Sequence, residues 1–90
     1  MTTIGKNLRY IRKQNKLSQT EFAQLFGLTR ASVGAYEEFR AKPKDELINK
    51  VAKFFNIESN ELEFSDFESQ NKAIQTSIEK PKIDRKPQFI

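Results

Sequence analysis

Residues 18–38, SQTEFAQLFGLTRASVGAYEE, decide how this chain is read. Ser18 and Glu21 make an S-x-x-E capping box, in which the hydroxyl accepts from an early helical N–H and the carboxylate reaches back to the cap. Phe22, Ala23, Leu25 and Phe26 follow at helical spacing. Gly27 ends that helix, because a left-handed residue there carries no Cβ penalty. Leu28 can drop into a core beneath the turn, and Thr29 is a good N-cap for a second helix. On the second helix Val33 and Tyr36 point one way, while Arg30, Ala31, Gly34 and Ala35 point roughly the other. Two steeply crossing helices on a short turn approach closely, which favours a side chain as small as Ala23. An ordinary helical hairpin would share each signal singly; their conjunction favours a helix-turn-helix.

The flanking sequence supplies the rest of an all-α domain. Helices are expected over about residues 4–15 (capped by Thr3), 19–26, 30–38 and 44–55, with a short fifth helix capped by Ser59 and carrying Leu62. Ile4, Leu8 and Ile11 form the first buried stripe, and Leu17 closes the connection. Phe22, Phe26, Val33, Tyr36, Leu47, Val51 and Phe55 are the expected core, with Ile48 also inward and Ile57 tucked in. The domain is expected over residues 1–64, with a tail over 65–90. In the tail Phe67, Ile74 and Ile78 share one face of a helix over about residues 66–79, before an extended basic end, KPKIDRKPQFI. That stripe could pack on its own domain, on a second subunit or on another protein, and the tail could equally link to a further domain.

Ninety residues allow one small domain and a tail. The chain has no Cys and no His, which removes disulfides, thiolate metal sites and the commonest general base. It also lacks a Gly-rich phosphate loop and metal-ligand spacing, so neither an enzyme nor a metal site is expected. No run is apolar enough to span a membrane and MTTIGKNLRY lacks a signal-peptide core, so a cytoplasmic protein is expected. The net charge of +4 is unevenly spread. Residues 1–57 carry eleven Lys/Arg against five Asp/Glu, residues 58–70 carry five acidic and no basic residues, and residues 71–90 carry five basic against two acidic. The basic block coincides with the helix-turn-helix, as attraction to phosphate requires. The acidic block reads as a solvated face turned away from DNA.

Ser18-Gln19, Ala23, Gly27, Val33 and Glu37, with the strings LTRASVGAYEEFRAKP and KVAKFFNIESNEL, resemble the phage repressor and Cro-type helix-turn-helix family, also called the xenobiotic-response-element family. The resemblance covers about residues 3–64. It implies a compact five-helix, lambda-repressor-like domain that binds operator DNA as a homodimer and uses no cofactor. The implied activity is transcriptional regulation, as a repressor of phage or bacterial type. By the same resemblance Gln19 at the start of helix 2 contacts phosphate, Arg40, Lys42 and Lys44 look like the family's loop contacts to the backbone, and Arg12 and Glu37 match a partly buried structural salt bridge. The chain departs from the family at Phe39, where Gly usually follows the paired glutamates. Either the recognition helix runs on past Glu38 or Phe39 takes a strained cap, and its ring is either a tolerated exposed group or a contact to a partner.

A recognition helix presents its N-terminal end to base edges in the major groove. That places Arg30, Ala31, Ser32 and Ala35 at the bases, with Arg30 able to reach guanine O6 and N7 together or, alternatively, a phosphate. Ser18 and Thr29 offer hydroxyls and helix N-termini to phosphates. Gly34, unfavourable within a helix, could permit close approach to a base or to the DNA backbone. Leu62, Phe64 and Phe67 are the expected dimer contacts. The competing function is an antitoxin-type protein whose tail binds and masks a protein partner.

Overall fold

A computed structural model describes residues 2–74 of the chain, and among them all regular structure is helical. The order is α1 (Ile4–Gln14), α2 (Gln19–Phe26), α3 (Arg30–Glu37), α4 (Asp45–Phe54), α5 (Ser59–Phe64) and α6 (Phe67–Gln70). The capping box forms as read: Glu21 N–H donates to Ser18 Oγ at 3.0 Å, and Ser18 N–H donates to Glu21 Oε1 at 2.7 Å. Gly27 is left-handed at φ 67°, and Thr29 caps α3 by accepting from Ser32 N–H at 3.1 Å. α4 opens with Asp45 and Glu46 and closes with Lys53, charges that suit the two ends of a helix dipole.

Thr3 stands at the N-cap position of α1 as expected but makes no side-chain cap bond, and the expected Ser59 cap of α5 is not formed. Thr3 instead ties α1 to the end of α5: its N–H donates to Glu63 O at 2.9 Å, and its hydroxyl donates to Ser65 O. Ser59 lies inside α5, with Glu58 in the cap position.

The core is enclosed by Ile4, Leu8 and Ile11 of α1, Phe22, Ala23 and Phe26 of α2, Val33 of α3, and Ile48, Val51 and Ala52 of α4, with Phe55 just past its end. Tyr36 and Leu47 are only half-buried at its edge. Phe26 packs on Phe54 edge to face at 5.2 Å between centroids and tilted on Phe22 at 4.9 Å, joining α2 to α4. Such pairs contribute about 1 kcal/mol each beyond their buried area.

The C-terminal segment differs most from expectation. Phe67 and Ile74 are both buried in this same core, yet no single helix carries them. α6 is four residues long and ends at left-handed Asn71. The chain then returns along α1, where Tyr10 Oη–H donates to Lys72 O at 2.6 Å and Ile74 N–H donates to Gln14 Oε1 at 2.9 Å. The segment is anchored by Asn7, whose wholly buried amide donates to Leu62 O and Ser65 O and accepts from Phe67 N–H. A fully satisfied amide crossing three backbone groups fixes the path of the chain that it binds. The expected helix over residues 66–79 is therefore broken at residue 71; its last residues, Ile78 and the basic end lie outside the described residues.

Candidate nucleic-acid interface

The N-cap Thr29 and the first residues of α3, Arg30 and Ala31, are exposed, with Ser32 and Ala35 half-exposed beside them. Thr29 Oγ1 donates to Ser32 Oγ at 3.0 Å. Ser18 is exposed at the start of α2, so the N-termini of both helices are open to solvent.

The end of α3 is held by charge. Arg12 Nε donates to Glu37 Oε2 at 2.7 Å and Nη2 to Glu37 Oε1 at 3.1 Å, while Nη1 donates to Leu17 O at 2.9 Å. Gln19 Nε2 also donates to Glu37 Oε1, at 3.1 Å. The Arg12–Glu37 pair thus joins α1, the α1–α2 connection, the start of α2 and the end of α3. The pair is buried and bidentate, the geometry in which a guanidinium–carboxylate contact is strongest. Gln19 therefore spends one of its two N–H bonds internally and keeps the other for an outside acceptor.

Phe39 occupies the left-handed position after α3, at φ 62°. The helix does not run on; Phe39 N–H donates to Tyr36 O and Arg40 N–H to Ala35 O, the two bonds of a Schellman ending. The ring is largely exposed and lies along α1 beside Gly5. A Cβ at Gly5 would collide with the Tyr36 carbonyl oxygen and crowd Phe39 Cε1 at 3.2 Å. Gly5 was not singled out from sequence, although a Gly in the first turn of an amphipathic helix is itself a signal of close approach. Gly34 is different: a Cβ there would meet only the Gln19 side-chain amide, at an ordinary 3.8 Å from Oε1 and 3.9 Å from Nε2.

Arg40, Lys42 and Lys44 are exposed in the loop that follows, but two of them have carboxylate neighbours. Arg40 Nε lies 2.9 Å from Glu38 Oε1, and Lys42 Nζ lies 2.9 Å from Glu63 Oε2. The hydrogen bond to Glu63, then its charge, raises the Lys42 pKa above the ordinary lysine value. The acidic segment is thus partly engaged: Lys6 pairs with Asp66 at 3.0 Å, and the hydrogen bonds from Lys6 and then Ser69 lower the Asp66 pKa. Of the three expected dimer contacts, Leu62 and Phe67 are wholly enclosed by their own chain because Asn7 and α1 draw this segment into the core. Phe64 is exposed. Among the described residues no cluster of potential metal ligands occurs, and no helix is long and apolar enough to cross a membrane.

The helix-turn-helix family matches residues 8–62. Antitoxin PezA of Streptococcus pneumoniae serotype 4 (strain ATCC BAA-334 / TIGR4) is 39% identical over 54 residues, which cover 60% of this chain and 34% of that protein. The chain thus spans about a third of the length of that relative. No solved structure matches.

Proposed function

We propose that this chain, which belongs to the phage repressor and Cro-type helix-turn-helix family of DNA-binding regulators, represses transcription as a homodimer that reads two half-sites with α3. The observation that carries the reading is the pair of open helix N-termini: exposed Arg30 and Ala31 on α3, flanked by Ser18 at the start of α2. Arg30, Ala31, Ser32 and Ala35 meet the bases, with Arg30 directed to guanine. Ser18, Gln19, Thr29, Arg40, Lys42 and Lys44 meet phosphates. Exposed Phe64 is the dimer contact left by the burial of its neighbours.

Selection of bound sites from a random duplex library tests this. A palindrome of two short half-sites is expected, and Arg30→Ala should relax preference at one base position by about 1–3 kcal/mol. Recovery of no motif would sink the reading.

The similarity to an antitoxin favours a second reading, in which the chain also binds a protein partner. Co-expression with candidate partners encoded beside it, followed by co-purification under stringent salt, separates the two; failure to retain any partner leaves the repressor reading alone.

A further inference from the structure

A groove of about 400 Å³ runs over the outer face of α1, between Phe39 at the end of α3 and Glu68 of α6. Lys6, Arg9 and Lys13 line it, with Tyr10 as an aromatic wall. Their spacing of three and four residues makes one row on the solvent side of the helix, roughly 10 Å long at 1.5 Å per residue. Lys6 is paired with Asp66, whereas Arg9 and Lys13 form no ion pair among the described residues. Glu37, at the groove's edge, is already engaged by Arg12 and Gln19, which leaves Glu68 as the carboxylate opposing the row. Lys13 in the last turn also suits the helix dipole, but mid-helix Arg9 has no such local reason.

We propose that this face of α1 is a second DNA-backbone contact, with Arg9 and Lys13 taking phosphates alongside the bases that α3 reads. The inference rests on the DNA-binding reading above. An extended row of cations calls for a ligand with repeated charge, which a duplex strand supplies and a small anion does not. The row is linked to the start of α2 through Glu37, which lines the groove at the C-terminal end of α3 and accepts from both Arg12 and Gln19. Each exposed cation neutralising a phosphate adds about 0.9 to the slope of log affinity against log salt.

The test is a titration of the full chain, and of Arg9→Gln, Lys13→Gln and the double variant, against the selected duplex and a scrambled one at several salt concentrations. Circular dichroism melts check that these surface changes leave the fold intact. The salt slope should become shallower by about one for each single variant and about two for the double. Both duplexes should weaken by the same factor, and base preference should not change. Glu68→Gln should tighten both. An unchanged slope in variants of a normally binding chain would overturn the α1 contact while leaving the regulator reading intact. So would an unchanged slope together with lost binding to poly-glutamate, which would assign the row to an acidic protein. Failure of the unaltered chain to bind any duplex would instead sink the regulator reading.

Discussion

The ends of α2 and α3 are built on the same backbone bend and made from opposite residues. At α2, left-handed Gly27 is followed by Leu28, whose N–H donates to Ala23 O at 2.8 Å; at α3, left-handed Phe39 is followed by Arg40, whose N–H donates to Ala35 O at 2.8 Å. The bond recurs across left-handed Lys16, Asn56 and Asn71, so the bend is a property of this fold and not of glycine. A Cβ in that region costs roughly 1–2 kcal/mol. What differs is the surroundings. A Cβ on Gly27 would meet nothing within 4 Å, and Leu28 turns toward the core. Phe39 lies against α1, and the missing Cβ is found at Gly5, across the contact. The first end is local chemistry, and the second is an interface between α1 and α3.

The largest effect that could break this contrast is at the anchor of the second end. Glu37→Ala leaves Arg12 buried without its carboxylate and should destabilise by about 3–5 kcal/mol in urea unfolding. A change below 1 kcal/mol would show that the end of α3 needs no charge to hold it. Next is Gly5→Ala, which should cost about 1–3 kcal/mol because the obstructing atom is backbone, not a flexible side chain. Helix propensity alone predicts the reverse sign, a gain of roughly 1 kcal/mol, so an equal or higher melting temperature would refute the close approach.

The two bends themselves can be exchanged. Gly27→Ala should lose about 1 kcal/mol, while Phe39→Gly should gain up to about 1 kcal/mol as strain is relieved. Destabilisation by both would mean that the Phe39 ring contributes more than its backbone costs. Gly34→Ala should stabilise by up to about 1 kcal/mol, since its Cβ would have room. Loss of DNA affinity in that more stable variant would identify Gly34 as a site of close approach to DNA.

The smallest expected effect lies at Asp66, whose pKa is lowered by Lys6 and Ser69. Its contribution is present above the ordinary carboxylate value of 3.8 and is lost as pH falls through the lower folded value. Asp66→Asn should therefore lower stability slightly at neutral pH, leave it unchanged at the most acidic pH, and so flatten the acid limb of stability against pH.

The fold was largely legible in the order of residues, and the particular elements show why. Ser18 with Glu21, Gly27, and Thr29 with Ser32 act within four positions of one another, so their geometry follows from helix periodicity and hydrogen-bonding chemistry. The stripes of Ile4, Leu8 and Ile11 and of Phe22 and Phe26 needed only a buried face to pack on. The family likeness extends that legibility to residues 8–62.

Tertiary structure alone decided the rest. The spacing of Phe67 and Ile74 suits one helix face, yet both reach the core through a four-residue helix and a return along α1. Asn7 meets its partners 55 to 60 residues away, and Lys42 meets Glu63 across the loop and α4. Local pattern establishes where a helix starts, stops and hides an apolar face, because those choices depend on near neighbours. Which exposed-looking residue is enclosed, which cation is already paired and which glycine is required by a crossing helix depend on atoms distant in the chain, and only packing brings them together.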